Sequence, residues 1–165
     1  MWYSKHTNLD LIGYSDADYA GCRIDRKSTS GACYFLGHSL INWSSRKQSS
    51  VALSTGEAEY MAAGSCVSQI LWIKQQLEDY GIDIGQVPVL CDNTSAINLT
   101  KNPIQHSRTK HIEIRHHFIR DHIQRGDIKV EYVPTEQQLA DIFTKPLKED
   151  RFCALRREPS MGTLK

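Results

Sequence analysis

The chain has 165 residues, a length that suits one compact domain and leaves little room for a second. Its 20 Lys and Arg residues almost balance 19 Asp and Glu residues, so the net charge gives no sign of a nucleic-acid partner, and any basic surface must be local. The five cysteines are odd in number and widely spaced, which argues against a disulfide framework and favours a reducing, intracellular setting. No apolar run reaches membrane-spanning length, so we expect no membrane partner.

The first part of the chain predicts strands and then a long helix. Short apolar runs at 9–16, 30–36 and 40–45 have the length and composition of strands. The Gly-His-Ser sequence at 37–39 is typical of a hairpin turn between the second and third strands. From Thr55 to Tyr80 there is no proline, and apolar residues recur at helical spacing. This stretch therefore predicts an amphipathic helix.

The rest of the chain alternates between strand and helix. In chain order we predict a strand at 87–92, a short helix from 93 that ends before Asn102-Pro103, a helix at 109–124, a strand at 128–133 and a helix from about 136 to 146. This order predicts an α/β fold, with a mixed sheet and helices on its faces. We assign residues 1–150 to the domain and expect a loosely ordered C-terminal tail over 151–165.

Four carboxylates stand near the ends of predicted elements or inside helices. They are Asp16 and Asp92 at strand ends, Glu59 in the first turns of the long helix and Asp141 in the last helix. Ligands collect at the carboxyl ends of strands in open α/β sheets, and carboxylates without Cys or His suit Mg²⁺ or Mn²⁺ better than Zn²⁺. Two such ions are the usual device for phosphodiester hydrolysis. The alternative interpretation is that these acids are helix caps and turn formers.

Helix geometry distinguishes Glu59 from its neighbour Glu57. Side chains two residues apart leave a helix about 200° apart, so at most one of them faces a shared site. Glu59 lies on the stripe continued by Ala63 and Val67, which we expect to pack on the sheet. We therefore select Glu59, and we interpret Glu57 as a solvated first-turn acid favoured by the helix dipole.

Five segments together resemble a known family. They are Tyr-Ser-Asp-Ala-Asp-Tyr-Ala-Gly at 14–21, Asp-Arg-Lys-Ser-Thr-Ser-Gly at 25–31, Ser-Thr-Gly-Glu-Ala-Glu-Tyr-Met-Ala at 54–62, Cys-Asp-Asn at 91–93 and Leu-Ala-Asp-Ile-Phe-Thr-Lys-Pro-Leu at 139–147. In order and spacing they are similar to the ribonuclease H region of copia-type retrotransposon polyproteins. The resemblance implies a ribonuclease H-like fold, with a five-stranded mixed β-sheet flanked by α-helices.

The resemblance also implies an activity and a metal site. The family's metal-binding and catalytic set of an Asp, a Glu and two further Asp residues falls on Asp16, Glu59, Asp92 and Asp141. These would hold two Mg²⁺ ions, for which Mn²⁺ can substitute, in an endoribonuclease that cleaves the RNA strand of RNA/DNA hybrids during reverse transcription. Asp16 would bridge both ions, and Asp141 would share with it the ion that activates the attacking water. The other two acids would hold the ion at the leaving 3′ oxygen.

Further expectations concern the surroundings of the domain and its substrate contacts. The resemblance implies an adjoining reverse transcriptase domain and a cytoplasmic location, within retrotransposon particles. Candidate substrate-binding residues are Ser15, Thr55, Asn93 and Arg115, and further candidates for phosphate contacts are Arg23 and Arg46-Lys47-Gln48. Arg115 lies on a histidine-rich stripe of the helix at 109–124 that faces either a phosphate backbone or solvent. No CxxC accompanies these histidines, so we do not predict a structural zinc.

One departure from related enzymes limits the mechanism. Many cellular ribonucleases H carry a histidine in the loop before the last helix, whereas residues 133–138 contain none. Two other functions stay open: an inactive or domesticated domain that binds hybrid or another protein, and an integrase or resolvase nuclease of the same fold. The four intact acids favour catalysis over the first. The match through Leu147 favours ribonuclease H over the second.

Overall fold

The computed structural model describes residues 9–101 and 110–157, and the side chains of the second range from 117 onward. The strands are β1 (Leu11–Asp18), β2 (Thr29–Leu36), β3 (Ser39–Lys47), β4 (Val87–Cys91) and β5 (Ile128–Tyr132). The helices are α1 (Thr55–Asp79), α2 (Thr94–Lys101), α3 (Lys110–Gln124) and α4 (Glu149–Arg157), with two 3₁₀ segments, η1 (Thr135–Gln137) and η2 (Leu139–Phe143), before α4.

The strands form one sheet in the order β3-β2-β1-β4-β5. The pairs β1–β2 and β2–β3 are antiparallel, whereas β4 runs parallel to both β1 and β5. This confirms the predicted five-stranded mixed sheet. Gly37 turns the β2–β3 hairpin with a φ of 60°, a conformation that glycine adopts without the steric cost of a Cβ.

Helix α1 packs on one face of the sheet. Its buried residues Val67 and Ile70 belong to the main core, together with Leu11 of β1 and Val89 of β4. Gly13 allows this close approach, because a Cβ built on it would lie 2.5 Å from Ile70 Cδ1. The odd-numbered residues of β1 therefore face α1, and the even-numbered residues face the other side.

The other face of the sheet is covered by η2. Ala140 packs there against Cys33, Phe35 and Leu40, with Tyr14 and Phe143 partly buried around them. This second, smaller core fixes η2 over the middle of β1 and β2. The position of Asp141 therefore depends on the packing of its immediate neighbour, Ala140.

The predicted helix at 136–146 is wrong. The segment forms the two 3₁₀ turns η1 and η2 instead, separated by the extended residue Gln138. The Gln138 side chain is fully buried: its Nε2 donates to the Ser15 carbonyl, and its Oε1 accepts from the Ala140 amide. Tying the chain to β1 at this point interrupts any regular helix.

The expected loose tail also differs from the structure over its first seven residues. Residues 151–157 belong to α4, which buries Leu155 to 3% exposure. The guanidinium of Arg151 donates to the backbone carbonyls of Thr135 and Glu136, so α4 is attached to η1. The remainder of the expected tail, 158–165, lies outside the described residues. None of the helices in the described part of the chain is long and apolar enough to cross a membrane.

Candidate metal centre

The four predicted acids lie at one place in the fold. One carboxylate oxygen each from Asp16, Asp92 and Asp141 lie within 4.8 Å of one another, and a Glu59 oxygen lies within the same distance of Asp92 and of Cys91 Sγ. Asp92 therefore joins the other three acids into one cluster. The parallel neighbours β1 and β4 supply Asp16 and Asp92, and η2 and α1 supply the remaining two.

Hydrogen bonds from threonines orient two of the carboxylates. The Thr144 hydroxyl, just after η2, bonds to Asp16 Oδ2 and also lies 3.1 Å from the Asp141 carbonyl oxygen. The Thr135 hydroxyl, in η1, donates to Asp92 Oδ2 over 2.8 Å. The first 3₁₀ segment and the residue directly after the second thus both contribute a hydroxyl to the cluster.

Burial dominates the electrostatics of the cluster. The pKa of Asp16 rises from 3.8 to about 6: loss of hydration and the nearby Asp141 and Asp92 carboxylates raise it, and together they outweigh the Thr144 hydrogen bond and Lys145, which lower it. The pKa of Glu59 rises from 4.5 to about 9, because the side chain is buried and lies close to Asp16 and Asp92. Acids arranged in this way repel one another when ionised. A divalent cation between them would remove that repulsion.

The side chains fit Mg²⁺ or Mn²⁺. Glu59 Oε2 is buried and has no hydrogen-bond partner among the described residues, which is costly for a carboxylate unless it binds a ligand. All four candidate ligands are carboxylates, the donors that hard cations prefer. Among the described residues, Cys91 is the softer group close by, and burial raises its pKa far above the ordinary range, so it remains a neutral thiol.

Two cations of the protein also contact the cluster, and our sequence analysis missed both. Lys145 Nζ lies 2.8 Å from Asp141 Oδ1 and 3.7 Å from Asp16 Oδ2. Arg151 lies 3.6 Å from Asp141 Oδ2. The i,i+4 spacing of Asp141 and Lys145 in the predicted helix was a usable signal for the first contact. No local pattern indicated the second, since α4 was expected to be a loose tail.

The predicted substrate-binding residues have different surroundings. Ser15 is fully buried on the face of β1 that packs against α1, so its side chain cannot contact a ligand from solvent, and that prediction is wrong. Thr55 is exposed at the first residue of α1. Asn93 is half-buried beside Asp92, where its Oδ1 accepts a 3.0 Å hydrogen bond from the Ala96 amide. The side chain of Arg115 lies outside the described residues.

The other candidates for phosphate contacts also differ in exposure: the two arginines are free to meet solvent, whereas the lysine is ion-paired and the glutamine is buried. Arg23 and Arg46 are exposed, and Arg46 lines a groove of about 440 Å³ between α1 and the β2–β3 edge of the sheet. Lys47 is paired with Asp25 at 2.8 Å. Gln48 is buried, and its Nε2 donates to Ser30 Oγ and to the Ala58 carbonyl, so it joins β3 to β2 and α1.

The chain is similar in sequence to parts of two plant transposon proteins. It is 45% identical over 153 residues, 92% of this chain, to the retrovirus-related Pol polyprotein from transposon RE1 of Arabidopsis thaliana. It is 43% identical over 166 residues, 100% of this chain, to the corresponding protein from transposon RE2 of the same plant. The chain spans only 10% and 11% of these relatives' lengths. No family model matches it.

The fold is similar to that of LC11-RNase H1, isolated from compost by a metagenomic approach. The superposition has a TM-score of 0.61 at 17% sequence identity, and it covers 82% of this chain and 93% of that chain. The structure of LC11-RNase H1 in complex with an RNA/DNA hybrid gives a TM-score of 0.59 at 15% identity, with 82% and 94% of the two chains covered. At this identity the likeness establishes the fold alone.

Proposed function

The chain belongs with the retrovirus-related Pol polyproteins of copia-type transposons and has a ribonuclease H-like fold, and on that premise we propose that it is an endoribonuclease specific for RNA/DNA hybrids. It cleaves the RNA strand during reverse transcription of the parent element, next to a reverse transcriptase domain in the same polyprotein and within cytoplasmic transposon particles. The convergence of Asp16, Glu59, Asp92 and Asp141 on one cluster, in which all but Asp92 are buried, carries the proposal.

The four acids are the proposed catalytic and metal-binding residues. One oxygen each from Asp16, Asp92 and Asp141 lie within 4.8 Å of one another, so Asp16 could share one ion with Asp141 and the other with Asp92. Glu59 approaches from α1 on the side of Asp92. Two Mg²⁺ ions bound to these groups would activate a water for attack on phosphorus and stabilise the charge on the leaving 3′ oxygen. Mn²⁺ has the same preference for oxygen ligands and is expected to substitute.

Two threonines next to the acids hold their carboxylates in position. Thr144 orients Asp16, and Thr135 orients Asp92. Both hydroxyls are fixed by the 3₁₀ segments, which pack on the sheet through Ala140 and Gln138. Preorganised ligands of this kind bind a metal without a large cost in conformational entropy.

The proposed substrate follows from shape and ribose chemistry. LC11-RNase H1, which has the same fold, has been solved with an RNA/DNA hybrid. Proteins distinguish RNA from DNA through the 2′-OH of the ribose. The exposed Thr55, on the helix that carries Glu59, and the half-buried Asn93, next to Asp92, are the polar side chains proposed to contact it. We expect no dependence on base sequence.

The test is a cleavage assay with three labelled substrates: an RNA/DNA hybrid, single-stranded RNA and duplex DNA. With Mg²⁺ or Mn²⁺ the hybrid's RNA strand is cut and the other two remain intact, and excess chelator stops the reaction. Asp141→Asn removes the activity, whereas Asp150→Asn, the same change at an exposed position of α4, retains it. Hybrid binding without cleavage by the parent chain would support the inactive-domain alternative. Equal cleavage in chelator would exclude the metal mechanism.

A further inference from the structure

The ammonium group of Lys145 lies inside the acid cluster. Its Nζ is 2.8 Å from Asp141 Oδ1 and 3.7 Å from Asp16 Oδ2. These two carboxylates are almost completely buried, with side-chain exposures of 4% and 2%, while the lysine side chain is 33% exposed. The lysine thus reaches from the solvent edge into the site and places a positive charge between two proposed metal ligands.

The local backbone holds the lysine there. The Lys145 amide donates to the Asp141 carbonyl over 3.3 Å, so one helical turn places the two side chains on the same side of the segment. The preceding residue, Thr144, is buried and bonded to Asp16. The backbone position of Lys145 is therefore fixed by the turn that ends η2. Its side chain is flexible and partly exposed, so the ammonium group can move toward solvent.

We propose that Lys145 is an internal counter-cation that occupies the position of the metal ion shared by Asp16 and Asp141, and that metal binding displaces its ammonium group. This inference rests on the metal centre of the proposed function. A divalent ion and an ammonium cannot both contact the same oxygen pair, since like charges a few ångströms apart repel strongly in a poorly hydrated site.

Displacement has two consequences. In the metal-free protein Lys145 offsets the repulsion between Asp16 and Asp141, so the site keeps its shape. When metal binds, the ion pairs of Lys145 with Asp16 and Asp141 are broken. The free energy of breaking them opposes metal binding, so the net affinity for the ion is lower. Lys145 thereby stabilises the metal-free site and, for the same reason, makes the site bind metal more weakly than it would without the lysine.

The first test compares Lys145→Gln with Lys148→Gln, which removes the same charge at an exposed position three residues along. Titration calorimetry with Mn²⁺ should show roughly tenfold tighter binding for Lys145→Gln, because the ion no longer has to displace a close ion pair. In chelator the same variant should melt lower than the parent. Lys148→Gln should match the parent in both measurements. Unchanged or weaker Mn²⁺ binding by Lys145→Gln would overturn the proposal.

The second test needs no variant, so it holds even if Lys145→Gln fails to fold without metal. An amine-reactive reagent is applied to the parent with and without saturating Mg²⁺, and the labelled lysines are quantified by mass spectrometry. Labelling of Lys145 should become faster with metal, while that of Lys148 should not change. Protection of Lys145 by Mg²⁺ would show that the ammonium stays in the cluster and would contradict displacement.

Neither test depends on cleavage, so the two proposals can fail separately. If Mn²⁺ binds and displaces Lys145 but the parent does not cut hybrid, only the proposed function fails. If the parent cuts hybrid with Mg²⁺ and Lys145→Gln binds Mn²⁺ no more tightly, only the displacement fails. If the parent binds no divalent ion at all, the metal centre is wrong and both proposals fall with it.

Discussion

Glu57 and Glu59 lie two residues apart on α1, and their carboxylates lie in different places: one at the start of the helix and the other in the acid cluster. Glu57 Oε2 accepts a 2.8 Å hydrogen bond from the Leu53 amide, while the Glu57 amide donates to Ser54 Oγ over 3.2 Å. Together these bonds satisfy backbone groups at the start of the helix. Glu59 is only 4% exposed and lies beside Asp92 in the acid cluster. The helix therefore places one acid at its own cap and the other in the acid cluster.

We predict that Glu59→Gln abolishes hybrid cleavage and Glu57→Gln leaves most of it. The first change removes a charge from the proposed metal centre. The second keeps an oxygen that can accept from the Leu53 amide, so it should lower the free energy of unfolding by less than about 1 kcal/mol. Cleavage rates and urea denaturation of both variants check this. The opposite pattern of activity would show that α1 presents its other face to the site.

The stability of the metal-free protein should fall as pH rises. The folded-state pKa values of Asp16, about 6, and Glu59, about 9, exceed their ordinary values of 3.8 and 4.5. Between these limits the folded state binds more protons than the unfolded state, so the free energy of unfolding decreases with pH. From pH 6 to 9 Glu59 alone contributes a loss on the order of 1 kcal/mol per pH unit.

Urea denaturation in chelator from pH 5 to 9 measures this loss. The Glu59→Gln variant has no titrating group at that position, so its stability should vary much less above pH 6, and at pH 9 it should exceed that of the parent. Saturating Mg²⁺ should remove most of the parent's decline. Parallel pH profiles for parent and variant would contradict the raised pKa of Glu59 in the folded state.

Asp16→Asn should eliminate cleavage without destabilising the empty site. Asparagine keeps the size of the side chain and an oxygen that accepts the Thr144 hydrogen bond, but removes the charge that burial disfavours. The metal-free variant should melt no lower than the metal-free parent, and Mg²⁺ should raise the melting temperature of the parent more. Asp18→Asn, the same change further along β1 and outside the cluster, is the control and should keep its cleavage. A much lower melting temperature for metal-free Asp16→Asn would make Asp16 a structural residue.

Gly31→Ala should weaken metal binding without touching an acid. Gly31 pairs with Asp16 across β1 and β2, and a Cβ there would lie 2.5 Å from Thr144 Cγ2. The added methyl group should push Thr144 away from Asp16, and it should lower both Mn²⁺ affinity and melting temperature. Thr144→Ser keeps the hydroxyl and removes the clashing methyl group, so the double variant should recover part of both losses. If Gly31→Ala kept the Mn²⁺ affinity and melting temperature of the parent, Thr144 and η2 would have to move aside for the added methyl group without a measurable cost.

Arg151→Gln should reduce both stability and cleavage. Arg151 joins α4 to η1 through the carbonyls of Thr135 and Glu136 and lies 3.6 Å from Asp141. Losing these bonds at a partly exposed position should cost about 1–2 kcal/mol and loosen Thr135, which orients Asp92. Arg157→Gln, at the exposed end of α4, is the control. Equal stability of the two variants in urea would mean that α4 does not support the site.

The sequence by itself determined the chain order of the five strands and of the helices up to α3, and with it the class of the sheet, because apolar periodicity and turn residues are short-range patterns. The resemblance to the copia-type family, rather than periodicity, singled out the four acids. The choice of Glu59 over Glu57 belongs here as well, because it depends only on the geometry of one helix.

The tertiary structure alone decided what surrounds those acids. Ser15 is buried because β1 turns its odd-numbered residues toward α1, and Gln138 interrupts a helix because it bonds to the same strand. Thr144 contacts Asp16 across 128 residues of chain, and Arg151 contacts Asp141 only after α4 has docked on η1. Contacts of this kind depend on how distant segments pack, so no local pattern in the sequence encodes them.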